Sequence, residues 1–182
     1  MGTKVINLLG GSGVGKSTTR ADIFSAMKKK GLLVEEVTEY VKMWAWLKRK
    51  PKWSDQAYLF GKQSQRESVL YDKVEFIVTD SPVLLSGYYE HYHFKRSIMQ
   101  PSIMNWLAYA QEQGVEYHNF FLKRNKPFDE LGRFETEEEA KFVDKDLREW
   151  LSNQNIPVVD INCSDEERLS EILTHLTNKG KL

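Results

Sequence analysis

Gly10-Gly11-Ser12-Gly13-Val14-Gly15-Lys16-Ser17 fits the pattern G-x-x-x-x-G-K-[ST], a glycine-rich loop whose backbone amides cradle phosphate. Its surroundings decide the fold. The preceding run Lys4-Val5-Ile6-Asn7-Leu8-Leu9 reads as a buried strand, and Ser17 to Lys30 reads as a helix that stops at Gly31. A loop between a strand end and a helix N-terminus presents free N–H groups and the positive end of the helix dipole to an anion. The glycines let the backbone curl where a Cβ would clash. The expected triphosphate contacts are Gly11, Ser12, Gly13, Val14, Gly15, Lys16, Ser17 and Thr18. Lys16 would reach the β- and γ-phosphates and Ser17 would ligate Mg²⁺.

Working outward, strand and helix patterns alternate. Val34–Val37 is a second strand, 75–80 a third ending in Asp80, 117–122 a fourth and 156–161 a fifth. Between them the spacing predicts helices over 41–49 and from a Ser54 N-cap to about Tyr71. A further helix should run from Pro101 to Gln113, closed by Gly114. Thr136 with Glu139, and Ser164 with Glu167, form capping boxes that open two more. The first of these carries Ala140, Val143, Leu147 and Trp150 on one face, and the second carries Leu169, Ile172, Leu173 and Leu176. Such alternation implies an α/β fold of three layers, a five-stranded parallel sheet with helices on both faces. Ligands of such sheets bind at the C-terminal strand ends. There the loop at 10–17, Glu39, Asp80 and the segment from Lys123 onward all fall.

Composition bounds the alternatives. The chain has 182 residues, with 26 Lys+Arg balanced by 26 Asp+Glu, so one domain over 1–182 is expected and any nucleic-acid contact must be local. The single cysteine, Cys163, leaves no intrachain disulfide. The N-terminal residues lack the layout of a secretory signal, and no apolar run approaches the ~20 residues of a membrane span. A cytoplasmic protein without a membrane partner is the expectation.

The remaining residues select among users of the loop. A guanine-reading Asn-Lys-x-Asp is missing, since Asn125-Lys126-Pro127-Phe128 places Asp129 one residue late. An AAA-type ATPase normally has a strand ending in Asp-Glu, whereas Asp80 is followed by Ser81 and Pro82, so that class is not expected. Phosphoryl transfer needs a carboxylate for Mg²⁺, a group beside the acceptor hydroxyl, and cations over the transferring phosphoryl. Asp80 supplies the first and Glu39 the second. Lys123-Arg124-Asn125-Lys126 and Arg133 bracket an irregular stretch before Thr136, which reads as a lid over about 123–135. Arg124 and Arg133 are its candidate catalytic cations, alongside Lys16, Glu39 and Asp80.

These pieces resemble the P-loop nucleoside and nucleotide kinases, and among them the ribosylnicotinamide kinase domain of NadR-type proteins and related phage-encoded kinases. The matching residues are 8–17, Glu39-Tyr40, Tyr58 to Gln63, 76–80 and Leu131-Gly132-Arg133. The resemblance implies the P-loop kinase fold, ATP as donor with Mg²⁺, and Glu39, Asp80 and Gln63 near metal and acceptor. The chain departs from NadR-type proteins in having Ser81-Pro82 after Asp80 and no preceding adenylyltransferase domain.

An acceptor-side insertion is expected over about 39–72. Within it, 42–53 holds three tryptophans (Trp44, Trp46, Trp53) and Lys42, Lys48, Arg49, Lys50 and Lys52. Aromatics stack on bases while cations meet phosphates. The segment therefore fits a nucleotide or a modified-base DNA acceptor, such as DNA carrying 5-hydroxymethyluracil, and equally fits a solvated amphipathic helix. Tyr40, Trp44, Gln63 and Arg66 are the candidate acceptor contacts. Tyr88, Tyr89, His91, Tyr92 and His93 read as core or acceptor-pocket packing. The expectation is an ATP- and Mg²⁺-dependent kinase of a nucleoside- or nucleotide-type acceptor. The alternatives are a DNA kinase and a regulatory NTPase with no acceptor.

Overall fold

β1, Lys4–Leu9, is the centre of the molecule. Val5, Ile6, Leu8 and Leu9 are fully buried, as expected of a parallel strand covered on both faces. The computed structural model describes residues 2–125, 127–129, 131, 133–178 and 180. Lys126 and Gly132 of the expected lid lie outside the described residues. The sheet runs β2-β3-β1-β4-β5, all parallel, with β2 Val34–Val37, β3 Phe76–Thr79, β4 Glu116–Leu122 and β5 Val159–Ile161. β1 pairs with β3 from Lys4↔Phe76 to Asn7↔Thr79 and with β4 from Lys4↔Glu116 to Leu9↔Phe121.

The period of two along β1 separates the layers. Ile6 and Leu8 pack with Ile23 and Met27 of α1 (Lys16–Lys29) and Ile172 and Leu176 of α7 (Arg168–Asn178). Leu9 packs on the other face with Tyr88 of α4 (Leu85–Phe94) and Val143, Leu147 and Trp150 of α6 (Glu137–Asn153). Val5 on that same face meets Ala110 of α5 (Gln100–Glu112). Asn7 interrupts the apolar run, yet it is buried and donates to Asn119 Oδ1 at 2.8 Å, and Asn119 donates to the Pro157 carbonyl at 3.0 Å.

Several boundaries differ from those expected. α2 covers only Lys42–Trp46. It stops because Lys48 turns left-handed (φ 53°), with Arg49 N–H returning to Trp44 O and Lys48 N–H to Ala45 O, a Schellman closure. α3 spans Gln56–Ser68 after a 3-10 turn at Trp53–Asp55. The residue at its N-cap is Asp55 and not Ser54, and the Asp55 side chain closes the preceding 3-10 turn instead, its Oδ2 accepting the Lys52 N–H. β5 starts at Val159 because Asn155 is left-handed (φ 54°) and Pro157 has no N–H to pair. α4 had no periodic signal and carries the tyrosine-histidine cluster. Tyr88 is buried in the core, with Tyr92 stacked on it at 5.8 Å. No helix among the described residues is long and apolar enough to cross a membrane.

Candidate active site

The loop from Gly10 to Ser17 joins β1 to α1 with Gly10, Gly13 and Gly15 at positive φ. α1 has no side-chain cap and no acid in its first turn. α6, by contrast, is capped by Thr136, which accepts the Glu139 N–H while Glu139 accepts the Thr136 N–H. The first amides of α1, at Lys16, Ser17 and exposed Thr18, thus form an uncapped, anion-seeking end. Lys16 Nζ donates to the Gly10 and Gly11 carbonyls at 2.6 and 2.9 Å. Burial lowers its pKa, and the carboxylates of Glu39, Asp80, Asp144 and Glu135 act against that.

Two strand ends bring acids to this lysine. Asp80, just past β3, is 5% exposed; its Oδ2 lies 3.3 Å from Arg20 Nε, and its Oδ1 is buried with no hydrogen-bond partner. Arg20 also pairs with Glu36. A buried carboxylate oxygen left open beside a phosphate-binding helix end fits Mg²⁺ or its water shell, with the Ser17 hydroxyl in the same first turn. Glu39 follows β2, half-buried, with its carboxyl pushed up to about 7, chiefly by burial. Lys16 opposes that rise and Asp80 adds to it.

Arg124 and Arg133 of the 123–135 segment reach the loop, Arg124 through Asp144 and Arg133 directly. Arg124 Nε is 2.8 Å from Asp144 Oδ2, and Asp144 Oδ1 accepts the Gly11 N–H at 2.5 Å. Arg133 donates to Ser12 Oγ at 3.4 Å and lies 5.1 Å from the Phe128 ring. Gly13 is left-handed at φ 80°, which favours glycine, and a Cβ there would also crowd the Arg133 and Phe128 side chains at 2.8 Å. Behind the loop, Arg168 donates to the Val14 carbonyl at 2.8 Å and to the Lys123 carbonyl, and pairs with Asp165 at 2.7 Å. Beside it lies an open groove of about 420 Å³ lined by Asn125, Asn162, Ser164, Asp165 and Glu166.

The acceptor candidates gather next to Glu39. Gln63 Oε1 accepts the Tyr40 N–H at 3.3 Å, and Gln63 and Arg66 donate to the Thr38 carbonyl at 3.5 and 3.2 Å. Both peptide groups flanking Glu39 are therefore held from α3. Tyr40 and Tyr58 share a 2.6 Å hydroxyl contact, and Trp44 is stacked 6.5 Å from Tyr58. Arg49 lies 3.7 Å from the Trp44 ring centre and Arg66 4.9 Å from that of Tyr40. Trp44 is 7% exposed, so its rings are covered within the protein. Tyr89, half-buried, turns toward the same acids: burial raises its pKa most, followed by Glu135 and Glu39.

Sequence reasoning missed Arg20, Asp144, Phe128 and Arg168. Two had a signal. Arg20 is one turn beyond Lys16 (i, i+4), and Asp144 is an acid four residues beyond Ala140, on the apolar stripe of α6. The partners of Arg168 are more than 40 residues away in sequence, apart from Asp165, which no local pattern reveals.

The family model of the AAA domain matches residues 5–168, and the chain belongs to that family. The strand-end argument against an AAA-type protein thus fails as a test of family: β3 does run into Asp80-Ser81, and the domain model matches nonetheless. The fold is that of the P-loop kinases. NadR in complex with NR is similar at a TM-score of 0.70 and 13% identity, over 97% of this chain and 50% of NadR. The deoxyadenosine kinase of M. mycoides, with dCMP and dCDP bound, is similar at 0.60 and 15%, over 96% and 99%. The APS kinase of Mycobacterium tuberculosis is similar at 0.54 and 15%, over 97% and 98%. No curated protein sequence matches the chain.

Proposed function

We propose that this chain is an ATP-dependent phosphotransferase that moves the γ-phosphoryl group to a hydroxyl of a nucleoside- or nucleotide-type acceptor. The observation that carries the reading is the meeting of Glu39 and Asp80, from the ends of neighbouring strands β2 and β3, on the Lys16 side of the loop. Lys16 and the amides of residues 11–18 hold the triphosphate. Ser17 and Asp80, the latter directly or through water, hold Mg²⁺, which when bound neutralises charge on the phosphoryl oxygens. Glu39, with a carboxyl near neutrality, takes or orients the acceptor proton. Arg124 and Arg133, arriving on the lid segment, stabilise charge on the transferring group. The groove lined by Asn125, Asn162, Ser164, Asp165 and Glu166 receives the donor base. NadR and deoxyadenosine kinase, solved with NR and with dCMP and dCDP, support a small acceptor of nucleoside type. A cytoplasmic setting belongs to the same proposal.

A second reading, a DNA kinase acting on a 5-hydroxymethyl pyrimidine, is favoured by one observation. Met43, Trp46, Leu47 and Trp53 are 64, 55, 72 and 70% exposed among the cations of 42–53, a surface suited to stacking bases between phosphate contacts. One assay separates the readings: transfer of labelled γ-phosphate from MgATP to nucleosides, nucleoside monophosphates, nicotinamide riboside, and DNA with and without 5-hydroxymethyluracil. Label on a small molecule supports the first reading and label on modified DNA alone the second. ATP consumption with no labelled acceptor overturns both in favour of a regulatory NTPase.

A further inference from the structure

Arg168 is the largest fully buried side chain of the described residues, 1% exposed, and its guanidinium spans three separate pieces of the donor side. One terminal nitrogen donates to the Val14 carbonyl at 2.8 Å and pairs with Asp165 at 2.7 Å; the other donates to the Lys123 carbonyl. In a trans peptide the carbonyl of one residue and the N–H of the next point in opposite directions. Fixing the Val14 carbonyl on Arg168 therefore turns the Gly15 N–H away from Arg168. Gly15 reports the same contact: at φ 100° it is left-handed, and a Cβ there would lie 2.5 Å from Arg168. The backbone angle calls for glycine here, and a side chain would also crowd the Arg168 guanidinium. Asp165 in turn lines the groove beside the loop, together with Asn125.

We propose that Arg168 is a donor-positioning residue: it aims the Gly15 amide into the phosphate cradle and, through Asp165 and the Lys123 carbonyl, holds the adjoining groove in register with that cradle. The proposal rests on reading the loop as the donor's phosphate site. Arg168 touches no reacting atom; it acts through the backbone. A guanidinium is needed because three acceptors lie around one planar fork, which an ammonium cannot span.

The test is calorimetric titration of the full chain with MgATP and with magnesium tripolyphosphate, for wild type, R168K and R168M, alongside steady-state kinetics. For R168M the Kd of both probes is expected to rise about tenfold or more. KM for ATP should rise while KM for the acceptor holds within about twofold, a split that general loosening of the fold would not give. R168K should fall between the two. A folded R168M with wild-type affinity for both probes overturns the proposal. If R168M does not fold, R168K decides: wild-type affinity in R168K overturns the proposal, and weakened binding of both probes with unchanged acceptor KM supports it. Weakening toward MgATP alone overturns the role assigned to the Gly15 amide. Wild type that binds neither probe overturns the donor reading itself.

Discussion

On the function proposed above, the donor and acceptor halves of the site are built from different materials. On the donor side, backbone groups and the Asp80 carboxylate are held by charged side chains that arrive from distant parts of the chain. Arg168 holds Val14, Asp144 holds the Gly11 amide, and Arg20 holds Asp80. On the acceptor side, rings hold rings: Tyr40, Trp44 and Tyr58 pack together with Arg49, Lys62 and Arg66 over their faces. A triphosphate is the same object in every turnover, so amides and fixed charge can be set for it in advance. Shape and stacking suit an acceptor recognised by its base or ring system. The first prediction tests the donor half at its centre. Lys16→Ala is expected to lower transfer by about 10²–10³ or more while the melting temperature changes little, since among the described residues Lys16 donates to the loop's own carbonyls. A Lys16→Ala protein with full transfer activity would sink the donor assignment.

The next effect lies at the seam between the halves. Glu39→Gln should cost about 10²-fold or more in kcat, the usual range for removing a general base. In wild type the free carboxyl near 7 must be ionised to accept a proton, so kcat/KM should fall as pH drops through about 7. The variant should lack that limb. An unchanged pH profile in Glu39→Gln would move the base elsewhere, with Asp80 next in line.

How much of this was legible in sequence follows the same division. The loop, its flanking strand and helix, and the acids at two strand ends are contiguous patterns, because a phosphate cradle is a local backbone shape followed by one lysine. The five parallel strands and both helical layers agree with the alternation of elements, whereas the order 2-3-1-4-5 does not follow from alternation. Short elements were read less well. α2 ends where Lys48 adopts φ 53°, an event with no sequence signature, since lysine seldom takes that conformation. α4 was missed because Tyr88, Tyr89, Tyr92 and His93 are aromatic around most of the helix, leaving no polar face to mark the period. Long-range contacts such as Arg168 on Val14 belong to the tertiary fold alone.

A third prediction concerns stability. Glu67 is fully buried in α3, accepting from Tyr71 at 2.6 Å and Tyr117 at 3.3 Å, and burial pushes its carboxyl up to about 7. Glu39 shares that direction. The fold then binds more protons than the unfolded chain between about 4.5 and about 7. The stability these two groups contribute is therefore fully present below about 4.5 and is lost as pH rises through about 7. Glu67→Gln keeps an acceptor for the tyrosines and cannot ionise. The difference in melting temperature, variant minus wild type, should rise by roughly 5 °C between pH 5 and pH 8. A difference that stays flat across that range would mean Glu67 titrates as an ordinary carboxylate.

The sharpest test of the acceptor half comes from its tryptophans. Trp44 is 7% exposed between Arg49 and Tyr58, so Trp44→Ala removes packing and should destabilise by about 3 kcal/mol or more. Trp46 and Trp53 are 55 and 70% exposed, and alanine at either should change stability by no more than about 0.5 kcal/mol. Their effect on turnover then depends on the size of the acceptor. On the first reading a nucleoside or mononucleotide beside Glu39 would meet Tyr40 and the backbone that Gln63 and Arg66 hold, and would not need rings further out on 42–53. A polymer extends past them. Trp46→Ala and Trp53→Ala should leave the KM of a small acceptor unchanged. For a DNA acceptor they should raise KM by several-fold per lost stacking contact, most visibly at low salt where the neighbouring lysines hold the backbone. Equal kinetics on both acceptors would reduce the exposed tryptophans to surface and confine recognition to the ring cluster around Tyr40.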